Sequence, residues 1–211
     1  MTAGIVLEEL ERDALTELVN IGVSRAAASL RKMVNKQVLL SVPAVEVVTR
    51  KSAAALIGQR ESEALVAVQQ DFEGPFSGRA LLIFPQSNGH KLARAILGDE
   101  MAEEEVSEME SEALTETGNV ILNGCLGSIA NMLQKSLKMS LPDVRRGTSD
   151  TLFEVMAGSA KDSFVLFLYI NFSVRDRDIR GYIAMIMDLP SLEILKELIA
   201  AFIERVTEDK P

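Results

Sequence analysis

The sequence predicts an α+β fold of two helix-strands-helix halves with pseudo-twofold symmetry, long helices packing on a shared and mainly antiparallel sheet. Three observations predict it. The string Asp13-Ala14-Leu15-Thr16-Glu17-Leu18-Val19-Asn20 returns almost unchanged as Glu112-Ala113-Leu114-Thr115-Glu116-Thr117-Gly118-Asn119. The order helix, several strands, helix occurs twice along the chain. Within each round the strand-like runs follow one another through turns, which favours antiparallel pairing over a parallel βαβ sheet.

Residues 6–34 read as one long helix, because Leu7, Leu10, Ala14, Leu18, Ile21, Ala28 and Leu30 recur at helical spacing. Gly22 is its weak interior position. Residues 37–43 and 44–48 then switch to β-branched residues and a period near two, a strand with Pro43 at an edge or bend. Two further strands, over 64–68 and 78–84, flank the turn Glu73-Gly74-Pro75-Phe76-Ser77. Pro85 closes the second of them, and Gly89 to Leu97 forms a short helix stopped by Gly98, with His90 at its start facing water.

The segment from Asp99 to Glu112 is crowded with carboxylates, which suit the positive end of a helix dipole and a solvated face. A second long helix covers 105–137, and strands follow over 152–156, 164–172 and 181–187. After Asp188-Leu189-Pro190 an amphipathic helix runs from Ser191 to about Val206. A shift of 99 positions superimposes the two rounds without a gap through Ser41, Pro43 and Val45 on Ser140, Pro142 and Val144. With 211 residues, 47% of them hydrophobic, the chain can bury one substantial core, so residues 1–211 read as a single domain of two repeats, about 1–99 and 100–211.

Composition excludes several classes of chemistry. A formal charge of -9 and a pI near 4.8 argue against nucleic-acid binding, which needs a basic face for phosphates. Cys125 is the only cysteine, so no internal disulfide forms, and the cytoplasm is the expected compartment. No apolar run approaches the length of a membrane span. His90 is the only histidine, which leaves neither a zinc ligand set nor a histidine base for a Ser or Cys nucleophile. A partner protein or a small molecule is the expected target.

The repeated string has a helical logic. Positions 13, 17 and 20, and likewise 112, 116 and 119, fall within one arc of a helix, so each copy projects two carboxyl groups and one carboxamide outward, beside the stripe of Leu7, Leu10, Ala14, Leu18 and Ile21. Each trio is followed at identical spacing by a proline, Pro43 or Pro142, which marks a bend in the next strand. The pattern Asp13-x3-Glu17-x2-Asn20-x22-Pro43, with its second copy Glu112, Glu116, Asn119 and Pro142, resembles the signature Asp/Ser-x3-Glu-x2-Asn-x22-Pro of the CheC family of chemotaxis phosphatases, carried twice. Asn20-Ile21-Gly22 and Ala26-Ala27-Ala28 are similar to that family as well, and the resemblance spans the chain.

The resemblance implies a CheC-like fold and hydrolysis of the aspartyl phosphate on the response regulator CheY. It implies that Asn20 and Asn119 orient the attacking water, while Glu17 and Glu116 pair with the regulator's active-site lysine. Asp13 would orient its helix or touch the regulator. Glu112 departs from the usual Asp/Ser at that position. No cofactor is expected on this chain, the Mg2+ belonging to the regulator, and the receptor deamidase CheD is a second implied partner. Ser24 and Ala27, with Asn123 and Gly127, are small enough to admit a partner's loop or to pack helices.

Within that resemblance, two complete motifs disfavour the single-motif CheX type, and the end of the sequence soon after its second half disfavours the flagellar-switch type with an added domain as the expectation. Two other readings stand beside phosphatase activity. One is a non-catalytic adaptor that binds CheY or CheD. The other is a magnesium-dependent hydrolase with Asp13 and Glu17 as ligands, since carboxylates suit that ion.

Overall fold

The structure is a computed structural model and describes residues 7–34, 37–154, 163–174 and 177–208. The chain runs through α1 (Glu9–Val34), β1 (Val38–Ser41), β2 (Val45–Thr49), α2 (Arg50–Arg60), β3 (Leu65–Glu73), β4 (Gly78–Pro85) and α3 (Gln86–Leu97). The same series then returns as α4 (Glu103–Met132), β5 (Lys138–Met139), β6 (Asp143–Gly147), α5 (Ser149–Glu154), β7 (Ser163–Val174), β8 (Arg177–Asp188) and α6 (Leu189–Glu208).

One eight-stranded sheet takes strands from both rounds in the order β1-β7-β8-β4-β3-β5, with β2 also on β7 and β6 also on β3, and every pairing is antiparallel. At its centre β4 lies beside β8, with Leu81 opposite Ala184. The short strands are exchanged: β1 and β2 of the first half pair with β7 of the second, and β5 and β6 of the second pair with β3 of the first. Because β4 and β8 are covered on both faces, they read as the unbroken apolar runs Ala80-Leu81-Leu82-Ile83-Phe84 and Tyr182-Ile183-Ala184-Met185-Ile186-Met187 rather than as alternating strands.

On one face Leu15, Leu18 and Leu30 of α1 and Leu122, Leu126 and Ile129 of α4 pack with residues of α3 and α6 against Val66, Val68, Leu82, Leu168 and Ile183. The other face is covered by α2 and α5, whose Ala53, Ile57, Leu152 and Phe153 meet Leu65, Ala67, Phe167 and Tyr182. The long helices α1 and α4 therefore share one face of the sheet, and the short α2 and α5 occupy the other. Helix α2 was not expected at all, because only Ala53, Ala54 and Ile57 of its eleven residues are buried. Its start is fixed locally by Thr49, whose hydroxyl accepts from Ser52 N at 3.1 Å.

The strand expected over 152–156 is helical through Glu154, and its last two positions lie outside the described residues. Thr148 and Thr151 cap this turn reciprocally, and Leu152 and Phe153 then turn inward together, which alternation along a strand would forbid. Helix α4 stops at Met132 rather than 137. Gln134 adopts φ 56°, Lys135 N donates to Ala130 O at 2.8 Å and Gln134 N donates to Asn131 O at 3.0 Å, the left-handed closure that ends helices.

The buried stripe of α1 is also rotated from the expected one. Leu15, Leu18, Val19, Gly22, Val23, Ala26 and Leu30 are buried, whereas Leu10 is 60% exposed and Ala14 and Ile21 are half-buried. Gly22 sets this rotation. A Cβ there would lie 2.8 Å from both Cys125 Cα and Gly124 O, so α1 and α4 meet backbone to backbone at a point only glycine permits.

Candidate functional site

With Gly22 and Ala26 turned toward α4, the opposite arc of α1 faces solvent. Asp13 and Glu17 are exposed on it and Asn20 is half-buried, and α4 repeats this with Glu112, Glu116 and Asn119. Each trio is thus brought together on one helix face. Among the described residues no basic side chain pairs with Asp13, Glu17, Glu112 or Glu116, so these carboxylates remain available to an external cation. Leu10 and Met109, equivalent under the 99-residue shift, are exposed by 60% and 38% on the same arcs. Sequence periodicity placed Leu10 in the core; its exposure in both copies marks an apolar contact beside each acidic pair.

The two asparagines are held differently. Asn20 Nδ2 donates to Val42 O at 2.9 Å and to Thr16 O at 3.1 Å, and its Oδ1 accepts from Val42 N at 2.9 Å. The carboxamide therefore binds both backbone groups of the residue preceding Pro43, in the link between β1 and β2. This accounts physically for the spacing from the asparagine to the proline in the first copy: Val42 is 1% exposed and its backbone is satisfied by Asn20. Pro43 is exposed, in the link between β1 and β2.

In the second copy the counterpart of Val42, Leu141, is 90% exposed, and Asn119 takes other partners. Its Oδ1 accepts from Gln70 Nε2 at 3.2 Å and from Asn123 Nδ2 at 2.6 Å. Its Nδ2 donates to none of the described residues. Gln70, from β3, is 1% exposed, also donates to Ser140 O at 3.0 Å, and leaves its own Oε1 without a partner among the described residues. A buried unpaired carbonyl costs about 1–3 kcal/mol. The sequence reading missed Gln70. Its signal is a polar residue in the core-facing phase of β3, where Val66, Val68 and Phe72 point to the helix layer.

Beyond each asparagine lies a groove between the motif helix and the strands that follow it. Ser24, Ala27, Ala28, Arg31 and Leu39 line one of about 880 Å³ in the first copy, and Asn123, Gly127, Ala130, Lys135 and Leu137 line one of about 270 Å³ in the second. Ala27 is buried at 8%, whereas a Cβ on Gly127 would meet nothing within 4 Å, so helix packing does not require that glycine.

Each motif helix also carries one buried carboxylate that was not foreseen. Glu11 accepts from Glu8 N at 2.8 Å and lies 3.4 Å from Lys196 Nζ on α6, and Glu110 lies 2.9 Å from His90 Nδ1 and 3.0 Å from Arg146 Nη2. His90 is thus an α3 residue clamped between Glu110 and Glu103 rather than a solvated one. Glu103 also pairs with Arg94, whose guanidinium is the first cause holding its carboxyl below the usual range. Cys125 is fully buried at the α1–α4 crossing, and burial pushes its thiol up to about 12, away from any nucleophilic role. Among the described residues no group of three His, Cys, Asp or Glu side chains is arranged to hold a metal ion, and no helix is long and apolar enough to cross a membrane.

Two family models match the chain in succession. The CheC-like family matches residues 10–47, which contain the first trio and Pro43, and the family described as chemotaxis phosphatase CheX matches residues 66–167, which contain the second trio and Pro142. The chain is 26% identical over 181 residues to the flagellar motor switch phosphatase FliY of Bacillus subtilis, covering 77% of this chain and 47% of that protein. It is 24% identical over 141 residues to the CheY-P phosphatase CheC of the same organism, covering 65% of this chain and 67% of that one. It therefore spans about half the length of the first relative and two thirds of the second. The crystal structure of Thermotoga maritima FliY matches with a TM-score of 0.72 at 18% identity, over 94% of this chain and 100% of that one. Doubled motif and matched segments agree, and over both of its halves the chain is similar to the CheC, CheX and FliY proteins, whose fold it shares.

Proposed function

We propose that this protein hydrolyses the aspartyl phosphate of a CheY-type response regulator, as one domain of two repeats that meets its partner through the motif faces of α1 and α4. The observation that carries this reading is the second trio. Glu116 is exposed and unpaired, and one turn away Asn119 presents amide hydrogens that no described residue accepts. A helix face of this kind can dock a lysine and hold a water without supplying a nucleophile of its own. The names of the relatives, a CheY-P phosphatase and a motor switch phosphatase, point to the same substrate class.

The chemistry asks little more. Water attacks phosphorus, the bond from phosphorus to the aspartyl oxygen breaks, and inorganic phosphate leaves with the carboxylate restored. An acyl phosphate is already reactive, and the metal and lysine that neutralise its charge belong to the regulator, so the phosphatase contributes position. Holding the water in line can remove several kcal/mol of barrier, because its entropy has been lost before the reaction begins. In this mechanism Glu17 and Glu116 pair with the regulator's lysine, Asn20 and Asn119 orient the water, Asp13 and Glu112 border the contact, and Leu10 and Met109 supply its apolar edge. The deamidase CheD remains part of the proposal as a second protein partner.

Changing Asn20 and Asn119 together to alanine tests the reading. Dephosphorylation of a phosphorylated regulator should fall to the regulator's intrinsic rate while the far-ultraviolet circular dichroism spectrum is retained. Undiminished acceleration in the folded double variant would rule the mechanism out. The adaptor reading draws on a specific observation, the commitment of Asn20 to Val42, and it predicts regulator binding with no acceleration in the unmodified protein. Hydrolysis of a small phosphomonoester without regulator would favour the magnesium-dependent alternative at Asp13 and Glu17.

A further inference from the structure

We propose that Gln70 is a positioning residue for the second site, turning the carboxamide of Asn119 so that it faces the partner as a hydrogen-bond donor only. The inference rests on the phosphatase reading and sharpens it. A carboxamide oxygen has two lone pairs. On Asn119 both are directed at protein donors, Gln70 Nε2 at 3.2 Å and Asn123 Nδ2 at 2.6 Å. The acceptor end is spent, and no described residue accepts from Nδ2. A water bound there is held through one lone pair, which leaves the other free to meet phosphorus.

Gln70 is poorly explained by stability. It occupies a core-facing place on β3 between Val68 and Phe72, where an apolar residue of the same length would fill the space. Instead its amide nitrogen serves two acceptors, Asn119 Oδ1 and Ser140 O, while its own oxygen is buried without a partner. A polar group kept at the expense of an unmatched atom is expected where geometry serves function. Both of its partners are acceptors, so the amide cannot be reversed to satisfy Oε1 without losing them. The first copy has no such device, since Val42 N donates to the Asn20 oxygen in place of a side chain and Val42 O accepts from its nitrogen. Asn123 sits on α4 one turn beyond Asn119 and shares the task.

The test uses the full chain and a purified CheY-type regulator phosphorylated by a small phosphodonor. Gln70→Met keeps the length and removes the donor. It should lower kcat for dephosphorylation by about tenfold to a hundredfold, the scale of a misplaced reactant, with KM for the regulator unchanged. Gln70→Glu reads the donor directly: ionised, it cannot donate to Asn119, and protonated, it can. Its kcat should be low at about pH 8 and recover toward about pH 5.5, relative to the unmodified protein at each pH, a profile that a merely structural role would not produce.

A folded Gln70→Met variant within twofold of the unmodified kcat, beside an Asn119→Ala variant reduced by about tenfold or more, overturns the role of Gln70 and leaves the phosphatase reading standing. Unmodified kcat in Asn119→Ala overturns the roles of Asn119 and Gln70 together and assigns turnover to the first site, while undiminished acceleration in the Asn20→Ala, Asn119→Ala double variant overturns the phosphatase mechanism itself. If Gln70→Met does not fold, the pH profile of Gln70→Glu decides, and a flat ratio across that range overturns the proposal.

Discussion

Asn20 and Asn119 occupy the same place in the two copies, yet the first spends its carboxamide on Thr16 and Val42 and the second keeps its amide hydrogens. The two should therefore separate by experiment. Asn20→Ala leaves Val42 N and O unpaired in a buried link and is expected to cost about 1–3 kcal/mol in urea unfolding, whereas Asn119→Ala should cost less than about 1 kcal/mol and fall mainly on turnover. Equal losses of stability in the two variants would contradict this division. The trios themselves were legible in the sequence, because helical spacing puts 13, 17 and 20 on one arc whatever surrounds the helix. The inequality of the asparagines was not, since it depends on Leu141 standing 90% exposed where Val42 is buried, a difference in how a strand link seats against a helix. Gln70 and the buried carboxylates Glu11 and Glu110 were hidden for a similar reason: their partners, Ser140 after β5, Lys196 on α6 and His90 on α3, belong to other elements of the fold.

Among elements, the long helices and long strands declared themselves through length and period, and the short pieces did not. Helix α2 and helix α5 each bury two or three apolar side chains, too few to set a period. The face of α1 was misjudged because periodicity counts apolar residues, whereas its rotation follows from small ones. Gly22 and Ala26 turn inward to let α4 approach, and Leu10 is carried outward to the site as a result. Gly22→Ala should thus be unfavourable despite alanine's better helix propensity. Its Cβ would press on Cys125 Cα and Gly124 O, backbone atoms that cannot move aside, and a loss of about 1–3 kcal/mol in thermal unfolding is expected. A stabilised Gly22→Ala protein would show that the crossing is looser than this geometry.

For the whole molecule, the buried titratable groups predict an alkaline limit. Burial raises the Cys125 thiol from 9.0 to about 12, and burial followed by the hydrogen bond and charge of Glu61 raises the Tyr182 phenol. Both are neutral in folded and unfolded chains below about pH 8.5, so the stability they confer is fully present there. As pH rises through about 9 the unfolded chain sheds the thiol proton while the folded one keeps it, and stability falls by up to about 1.4 kcal/mol per pH unit until the folded pKa is reached. Urea unfolding between about pH 9 and 10 should show this slope, and Cys125→Ala should flatten it, because the unfolded phenol titrates only near 10.

The exchange of short strands across the sheet sets a timetable for the chain. Val45 on β2 pairs with Leu168 on β7, and Leu65 on β3 pairs with Gly147 on β6. Contacts so distant in sequence form slowly, because a long loop must close before they give any return. During synthesis β3 and β4 emerge well before β6 and β8, leaving a long apolar hairpin with both edges open to any passing strand. The acidic run from Glu103 to Glu105 emerges directly afterwards. The nascent first half thus spends its most adhesive interval waiting for residues 143–147 and 177–188 to arrive and cover it.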